Sequence, residues 1–325
     1  MIERPFVTVI IPTFNRRELL AGAVTSLCQQ TYPFDQFELI VVDNGSTDGT
    51  DKWAAELRPP FRFRFMLNET TFRVPGQSRN LGLAHAEGEV IAFTDSDCVA
   101  SPDWLIEGVN ALMQRDDIGL VQGVTMPSDE EKPMLYRTIS IVKRKAFFET
   151  CNIFYRTKAL REVGGIHSDF IERYPPPYHG EDTDLGYRVL EAGYRPMFAP
   201  AAQVKHRILP HKLKNWIKEP TVFISWPLLV RKHPRIRRDL LFLGLFLSPM
   251  TAMFDLCLLG CLLAVSLHPL FLCLTLPFLV AKFFESGEHL SLPMRFVRLG
   301  AATARAFFMF GVLLCGSVRF LSPVL

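Results

Sequence analysis

Three aspartates stand just past stretches that read as buried strands. Asp43 follows the run 37–42 and opens a dense turn cluster, Asp43-Asn44-Gly45-Ser46-Thr47-Asp48-Gly49. Asp95 and Asp97 follow the run 90–94. Carboxylates carried to one sheet edge by separate strands suit a divalent cation or a ribose, because open α/β sheets bind ligands beyond the carboxyl ends of their strands. Further along, Glu181-Asp182 precedes a helical pattern, and His206 closes the segment 199–206. A G-x-G-x-x-G turn is absent after the first strand-like run. Pro12-Thr13-Phe14-Asn15 stands there instead, which counts against an ordinary dinucleotide fold.

The elements that must position these residues follow from periodicity. Residues 7–12, 37–42 and 90–94 read as buried strands, and residues 61–65, where Phe alternates with Arg, as a half-exposed one. Residues 17–29, 51–57, 75–86, 104–113 and 183–192 read as helices, and residues 119–124 as a further strand. Strand and helix alternate, which predicts an α/β domain with a mostly parallel sheet.

Five segments in order carry a resemblance. Val7-Thr8-Val9-Ile10-Ile11-Pro12-Thr13-Phe14-Asn15-Arg16 resembles the opening strand of family 2 glycosyltransferases. Val41-Val42-Asp43-Asn44-Gly45-Ser46-Thr47-Asp48-Gly49-Thr50 is similar to their second signature, and Arg79-Asn80-Leu81-Gly82 to their third. Phe93-Thr94-Asp95-Ser96-Asp97 resembles their D-x-D motif, and Gly180-Glu181-Asp182-Thr183-Asp184-Leu185 their E-D motif. A D-x-D alone is weak; five segments in the right order, over residues 5 to 208, are specific.

The resemblance implies a Rossmann-like GT-A domain with a mostly parallel sheet, a nucleoside-diphosphate sugar donor (UDP-linked), inversion at the anomeric carbon, and Mn²⁺ or Mg²⁺. It places Asp43 at the base beside the loop that holds Pro12, Thr13 and Asn15. It puts Asp95 near the ribose or the metal's water shell, and Asp97 on the metal. Hard oxygen ligands suit such cations. The plain alternative is that Asp95 and Asp97 cap the helix near Trp104. Arg79 is expected at the diphosphate, where a guanidinium can fork onto oxygens; the alternative is a surface-helix arginine. Asp182 is the candidate general base, with Glu181 holding the acceptor or orienting Asp182. Acidic residues also favour a helix N-terminus, and both readings can hold together. In many relatives a histidine at the place of His206 supplies another metal ligand, and imidazole suits Mn²⁺ better than Mg²⁺. A structural histidine is the alternative, with His211 a nearby competitor.

The acceptor side is less defined. Cys151 to Arg156 and Val163-Gly164-Gly165-Ile166 are similar to the family's acceptor-side strand and loop, but His167-Ser168 stands where the family often has an acidic pair. The three prolines between Tyr174 and Tyr178 suggest a stiff lid edge, and Lys143-Arg144-Lys145 a contact for lipid phosphates or a solvated run.

The C-terminal part is of another kind. Residues 240–267 are nearly all apolar, with one charge, Asp255; residues 270–284 and 301–321 are further apolar runs, the last carrying Arg305. A hydrocarbon core of about 30 Å asks for about 20 such residues in a helix. The division expected is 1–210 catalytic, 211–238 a basic amphipathic juxtamembrane linker able to lie on the membrane surface, and 239–325 a membrane region of two to three transmembrane helices. Arg231, Lys232, Arg235, Arg237 and Arg238 precede the first span, and Lys282, Arg295 and Arg298 lie between the second and third. The positive-inside rule makes both flanks cytoplasmic and the protein a multi-pass component of the inner (plasma) membrane. No signal peptide is expected from the opening residues. Seven cysteines without a C-x-x-C pair fit a reducing compartment, and a net charge of +3 gives no reason to expect nucleic acid as a partner. The function expected is sugar transfer to a lipid-linked or cell-envelope glycan acceptor. The alternatives are a processive polysaccharide synthase, for which the Q-x-x-R-W motif is absent, and an inactive membrane scaffold, whose sign would be broken chemistry. The acidic set is complete.

Overall fold

The computed structural model describes residues 4–69, 74–129, 131–143, 146–167, 180–285 and 290–325. The expected proline edge at 174–178, and Arg144, Lys145 and Ser168, lie outside the described residues. The chain separates into two compact units. One holds Met1–Glu130, Thr138–Pro177 and Glu181–Ile208; the other holds Glu131–Arg137, Tyr178–Gly180 and Leu209–Leu325.

The first unit is an α/β sandwich. In chain order it runs β1 (Val7–Thr13), α1 (Arg17–Leu27), β2 (Phe37–Asp43), α2 (Thr50–Glu56), β3 (Arg62–Leu67), α3 (Pro75–His85), β4 (Val90–Thr94), β5 (Cys98–Ala100), α4 (Trp104–Leu112) and β6 (Ile118–Pro127). After a two-residue strand of the second unit, β7 (Tyr136–Arg137), come β8 (Asn152–Arg156), α5 (Thr157–Glu162), α6 (Glu181–Glu191) and β9 (Arg195–His206). The eight-stranded sheet has the order β3-β2-β1-β4-β8-β6-β9-β5. β3, β2, β1 and β4 are mutually parallel, whereas β8 runs against both β4 and β6. Every residue of β1, β2 and β4 is buried, as a strand covered by helices on both faces requires. The order reverses between β1 and β4, because β2 and β3 extend the sheet one way and the later strands the other. The carboxyl ends of β1, β2 and β4 therefore open on the crevice where such sheets bind ligands.

Helices and strands fall close to their expected places. α3 begins on Pro75, whose ring suits the first helical turn. α6 starts two residues earlier than the periodicity suggests, at Glu181, so the E-D pair lies inside its first turn. α4 is preceded by Asp103 and receives no side-chain cap. The strand β5 separates Asp95 and Asp97 from it, so the capping alternative for those two acids does not hold.

The second unit is helical. It contains a small ladder of β7 with β10 (Leu209–Pro210), then α7 (Leu213–Lys218), α8 (Trp226–Lys232), α9 (Ile236–Asp239), α10 (Pro249–Ser266), α11 (Leu276–Glu285) and α12 (Leu292–Phe320). Among the described residues, α10 and α12 are long and apolar enough to cross a membrane. Their large side chains stand exposed: Leu262 and Val265 on α10, Val297, Phe307 and Val318 on α12. Two expectations change here. Residues 240–248 are not helical; Leu243 and Gly244 turn through positive φ, and α10 begins only at Pro249, behind a Ser248–Thr251 capping box. Residues 270–284 are not one helix but a 3-10 segment, Pro269–Thr275, followed by α11. Arg305 on α12 is paired rather than bare. It meets Glu219 at 2.8 Å, donates to the Trp216 carbonyl and lies over the Trp216 ring, while Arg137 approaches Glu219 from the other side.

Candidate active site

The loop after β1 and the loop after β2 form one stitched surface. Asn15 adopts a left-handed backbone (φ 50°), which Asn tolerates better than most residues. In that position its N–H donates to Ser46 Oγ at 2.8 Å, and its side-chain oxygen accepts from the Thr47 N–H at 2.8 Å. The Arg17 N–H donates to Asp48, tying α1 to the same loop. Asp43, buried at the end of β2, accepts from the Ser46 N–H and hydroxyl. Beneath it Asn44 accepts from Asn68 (2.8 Å) and Ser78 (2.7 Å), fixing β2 to β3 and α3. Thr13 Oγ1 is buried without a hydrogen-bond partner among the described residues. The structure thus gathers Pro12, Thr13 and Asp43, at the paired ends of β1 and β2, with Asn15 of the following loop at the crevice.

Arg79 on α3 is buried, and its guanidinium meets Asp95 at 2.6 Å. That excludes the surface-arginine alternative. Its neighbour Asn80 exchanges two hydrogen bonds with Ile166, pinning the Gly164-Gly165 turn, whose positive φ suits glycine. Arg188 on α6 holds the same turn by donating to the Val163 and Gly165 carbonyls.

Asp97 and His206 come together through β5. Cys98 pairs with His206 across the β5–β9 ladder, and the ligand atoms of Asp97, Cys98 and His206 lie within 4.8 Å of one another. His206 Nε2 is 3.6 Å from Asp97 Oδ1. Its Nδ1 lies 2.9 Å from the Arg207 carbonyl, which can only accept, so Nδ1 carries a proton and Nε2 is the nitrogen that faces Asp97. A carboxylate beside an imidazole suits Mn²⁺ chemically, and the residues present fit such a cation. Among the described residues, the group that could hold a cation includes His206 and not His211. Asp95, expected near the ribose or the metal's water shell, is held by Arg79. Two site neighbours escaped the sequence reading. Cys98 lies beside Asp97 and His206, and Arg16 donates to Asp97 Oδ2 at 2.7 Å. Cys98 stands beside Cys151, whose thiol this neighbour and burial push up.

Asp182 and Glu181 sit half-buried in the first turn of α6, where Asp182 accepts from the Thr183 N–H at 2.7 Å. Burial raises the Asp182 carboxyl well above the usual range, and the Glu181 and Glu149 carboxylates add to the rise; Thr183 and Arg79 oppose it. Arg79 thus acts electrostatically on Asp182 while pairing with Asp95, linking the two acids. A carboxyl held up in this way is a stronger base once ionised.

Comparison with known proteins bears on the family and the fold. Residues 8–168 match the glycosyl transferase family 2 model, and residues 90–317 match the model of glycosyl transferase family group 2. The chain is 31% identical over 205 residues to the glycosyltransferase AglE of Haloferax volcanii, covering 60% of this chain and 64% of that protein. It is 29% identical over 251 residues to the pre-mycofactocin glycosyltransferase of Mycobacterium tuberculosis, covering 70% of this chain and 48% of that relative. The chain therefore spans about half to two thirds of these relatives. Among solved structures, the mannosyltransferase PcManGT of Pyrobaculum calidifontis, in complex with GDP-Man and Mn²⁺, superposes with a TM-score of 0.60 at 22% identity over 98% of this chain and 88% of that one. S. aureus TarS 1–349 in complex with UDP-GlcNAc gives 0.52 at 17% identity, over 98% and 92%. At these identities the likeness speaks to the fold, which is GT-A. With a family model spanning more than half of its length, the chain belongs to the family 2 group of glycosyl transferases.

Proposed function

We propose that the protein is an inverting, metal-dependent glycosyltransferase that moves a sugar from a nucleoside-diphosphate donor, UDP-linked, to a lipid-linked or cell-envelope glycan acceptor. The observation that carries this reading is the meeting of Asp97 with His206 beside the crevice to which β2 and β4 deliver Asp43 and Asp95. In this reading Asp43 and the loop of Pro12, Thr13 and Asn15 receive the nucleoside. Arg79 faces the diphosphate while keeping Asp95 in place near the ribose. Asp97 and His206 would hold Mn²⁺ or Mg²⁺, which when bound would offset negative charge on the leaving diphosphate. Asp182 takes the proton from the acceptor hydroxyl as its oxygen bonds to the anomeric carbon and the bond to the phosphate oxygen breaks. Glu181 orients Asp182 or holds the acceptor. A scaffold without activity would have no need to keep all of these groups.

The helical unit supports a membrane setting. α10, at 18 residues, is about 27 Å long, close to a hydrocarbon core of about 30 Å. We assign α10 and α12 to the membrane and the basic residues Arg231 to Arg238 to its cytoplasmic face. A lipid-linked acceptor is the class such an anchor favours. The test is to incubate the purified protein with radiolabelled UDP- and GDP-sugars and host lipid extract. Label passing into the organic phase with inverted anomeric configuration supports the proposal. Transfer only to water-soluble acceptors would contradict the lipid assignment, and retention of configuration would contradict the role of Asp182.

A further inference from the structure

Two arginines touch the acids of the D-x-D segment, and they are held differently. Arg79 is the buried member of its pair: it is 4% exposed and Asp95 24%. At Asp97 the order is reversed, with the carboxylate 5% exposed and Arg16 39%. A buried arginine clamped by its surroundings stays where it is. A guanidinium reaching in from the surface to a buried carboxylate can leave by rotating its own side chain, and water receives it. Arg16 Nη1 covers Asp97 Oδ2 at 2.7 Å, and the other oxygen, Oδ1, faces His206 Nε2 at 3.6 Å. Both oxygens of this carboxylate are therefore engaged. A divalent cation ligated by Asp97 has to share that space with a unit positive charge, and like charges at such range repel.

Position in the chain adds the second half of the argument. Arg16 immediately precedes α1 and follows Asn15, whose backbone and side chain are stitched to Ser46 and Thr47; the next residue, Arg17, is tied to Asp48. The base of the Arg16 side chain is thus fixed to the two loops assigned above to the nucleoside. A nucleoside diphosphate seated there brings phosphate oxygens within the sweep of a long, partly exposed arginine, and a guanidinium forks onto phosphate as readily as onto carboxylate.

We propose that Arg16 is a positioning residue that couples metal binding to donor binding: it serves as the counter-charge of Asp97 until a nucleoside diphosphate offers it a new partner, and its release frees the carboxylate for the cation. This rests on the donor and metal reading of the preceding section. Two consequences follow. The cation alone binds weakly because Arg16 competes for Asp97. The diphosphate strengthens cation binding, and by thermodynamic reciprocity the cation strengthens diphosphate binding by the same factor.

The test is Mn²⁺ titration of the full chain in detergent, followed by the loss of the free-ion EPR signal, first alone and then with UDP or GDP. Wild type is compared with Arg16→Gln, and Asp97→Asn shows whether the signal reports this site. Arg16→Gln is expected to bind Mn²⁺ alone about tenfold more tightly than wild type, and the tightening produced by the nucleotide is expected to shrink by a similar factor, an ordinary size for coupling between sites. Equal or weaker binding of Mn²⁺ alone by Arg16→Gln, with binding lost in Asp97→Asn, would overturn the role of Arg16 and leave the metal reading standing. Should Arg16→Gln fail to fold, the wild type decides: Mn²⁺ affinity unaffected by UDP and by GDP overturns the proposal. Absence of Mn²⁺ binding under every condition would remove the metal reading and this proposal together.

Discussion

Replacing Asn152 with alanine should loosen the catalytic unit at the joint that carries His206. Asn152 opens β8 opposite Thr94, one residue before the D-x-D segment, and is fully buried. Its side-chain oxygen accepts from Trp104 Nε1 at 2.8 Å, and its amide donates to the Val124 carbonyl at 2.8 Å and the Ala202 carbonyl at 3.0 Å. These bonds bridge the register shift between Gly123 and Val124, where β6 and β9 fall out of step on the way to His206. Space is so tight that a Cβ on Gly123 would come within 2.3 Å of the Ala202 carbonyl and 2.5 Å of the Asn152 amide. Alanine removes the two amide bonds, each worth about 1 kcal/mol net, and leaves a buried indole N–H without its acceptor, at about 1–3 kcal/mol. The sum is about 4 kcal/mol, which for a unit of this size lowers Tm by about 8–16 °C. Thermal unfolding followed by tryptophan fluorescence reads it directly, since Trp104 is one of the partners. A fall of less than about 3 °C would refute the reasoning that this amide holds the joint together.

Three further predictions concern the site and the helical unit. Asp182→Asn should keep donor affinity and lose about 10²–10⁴-fold in kcat, measured by product formation at saturating donor. Because Asp182 is raised in the folded chain, it stays protonated where the unfolded chain has ionised; wild-type stability therefore falls as pH rises from the ordinary carboxylate range through the raised value. Asp182→Asn should remove that slope and melt higher than wild type above the window. Arg79→Gln leaves Asp95 without its cation and should cost about 2 kcal/mol, less than the ~3–5 kcal/mol of a wholly buried pair because Asp95 is partly exposed. Since Arg79 lowers the Asp182 pKa, the rise of kcat/KM with pH should move to higher pH in that variant. Arg305→Leu breaks the link to Glu219 and Trp216 and should lower the stability of the helical unit by about 1–3 kcal/mol, read by protease sensitivity in detergent.

Much of the crevice edge was legible because its signals are local. A buried apolar run ended by Asp43 or by Asp95-Ser96-Asp97 marks a strand and the turn that follows it, and α3 and α4 lie within a residue of their expected bounds. What escaped is non-local. β5 is three residues long, and its role is set by its partner β9, more than a hundred positions away, so neither Cys98 beside His206 nor Arg16 against Asp97 can be read from periodicity. The antiparallel entry of β8 between β4 and β6 is likewise a matter of register. In the helical unit, apolar composition overstated helix length: Leu243 and Gly244 turn the chain before Pro249, and residues 269–275 form a 3-10 segment where the composition reads as continuous helix. Arg305, a charge within an apolar run of the sequence, is answered by Glu219 from another segment.

Donor turnover with the cation varied tests the central claim most directly. Wild type, Asp97→Ala and Asp182→Asn would be assayed with UDP- and GDP-sugars under Mn²⁺, Mg²⁺ and chelator, with host lipid extract as acceptor and donor binding measured in parallel. Wild type is expected to turn over only with the cation, Asp97→Ala to lose both cation dependence and turnover, and Asp182→Asn to bind the donor without transfer. Turnover unaffected by chelator, or retained in Asp97→Ala, would contradict the claim.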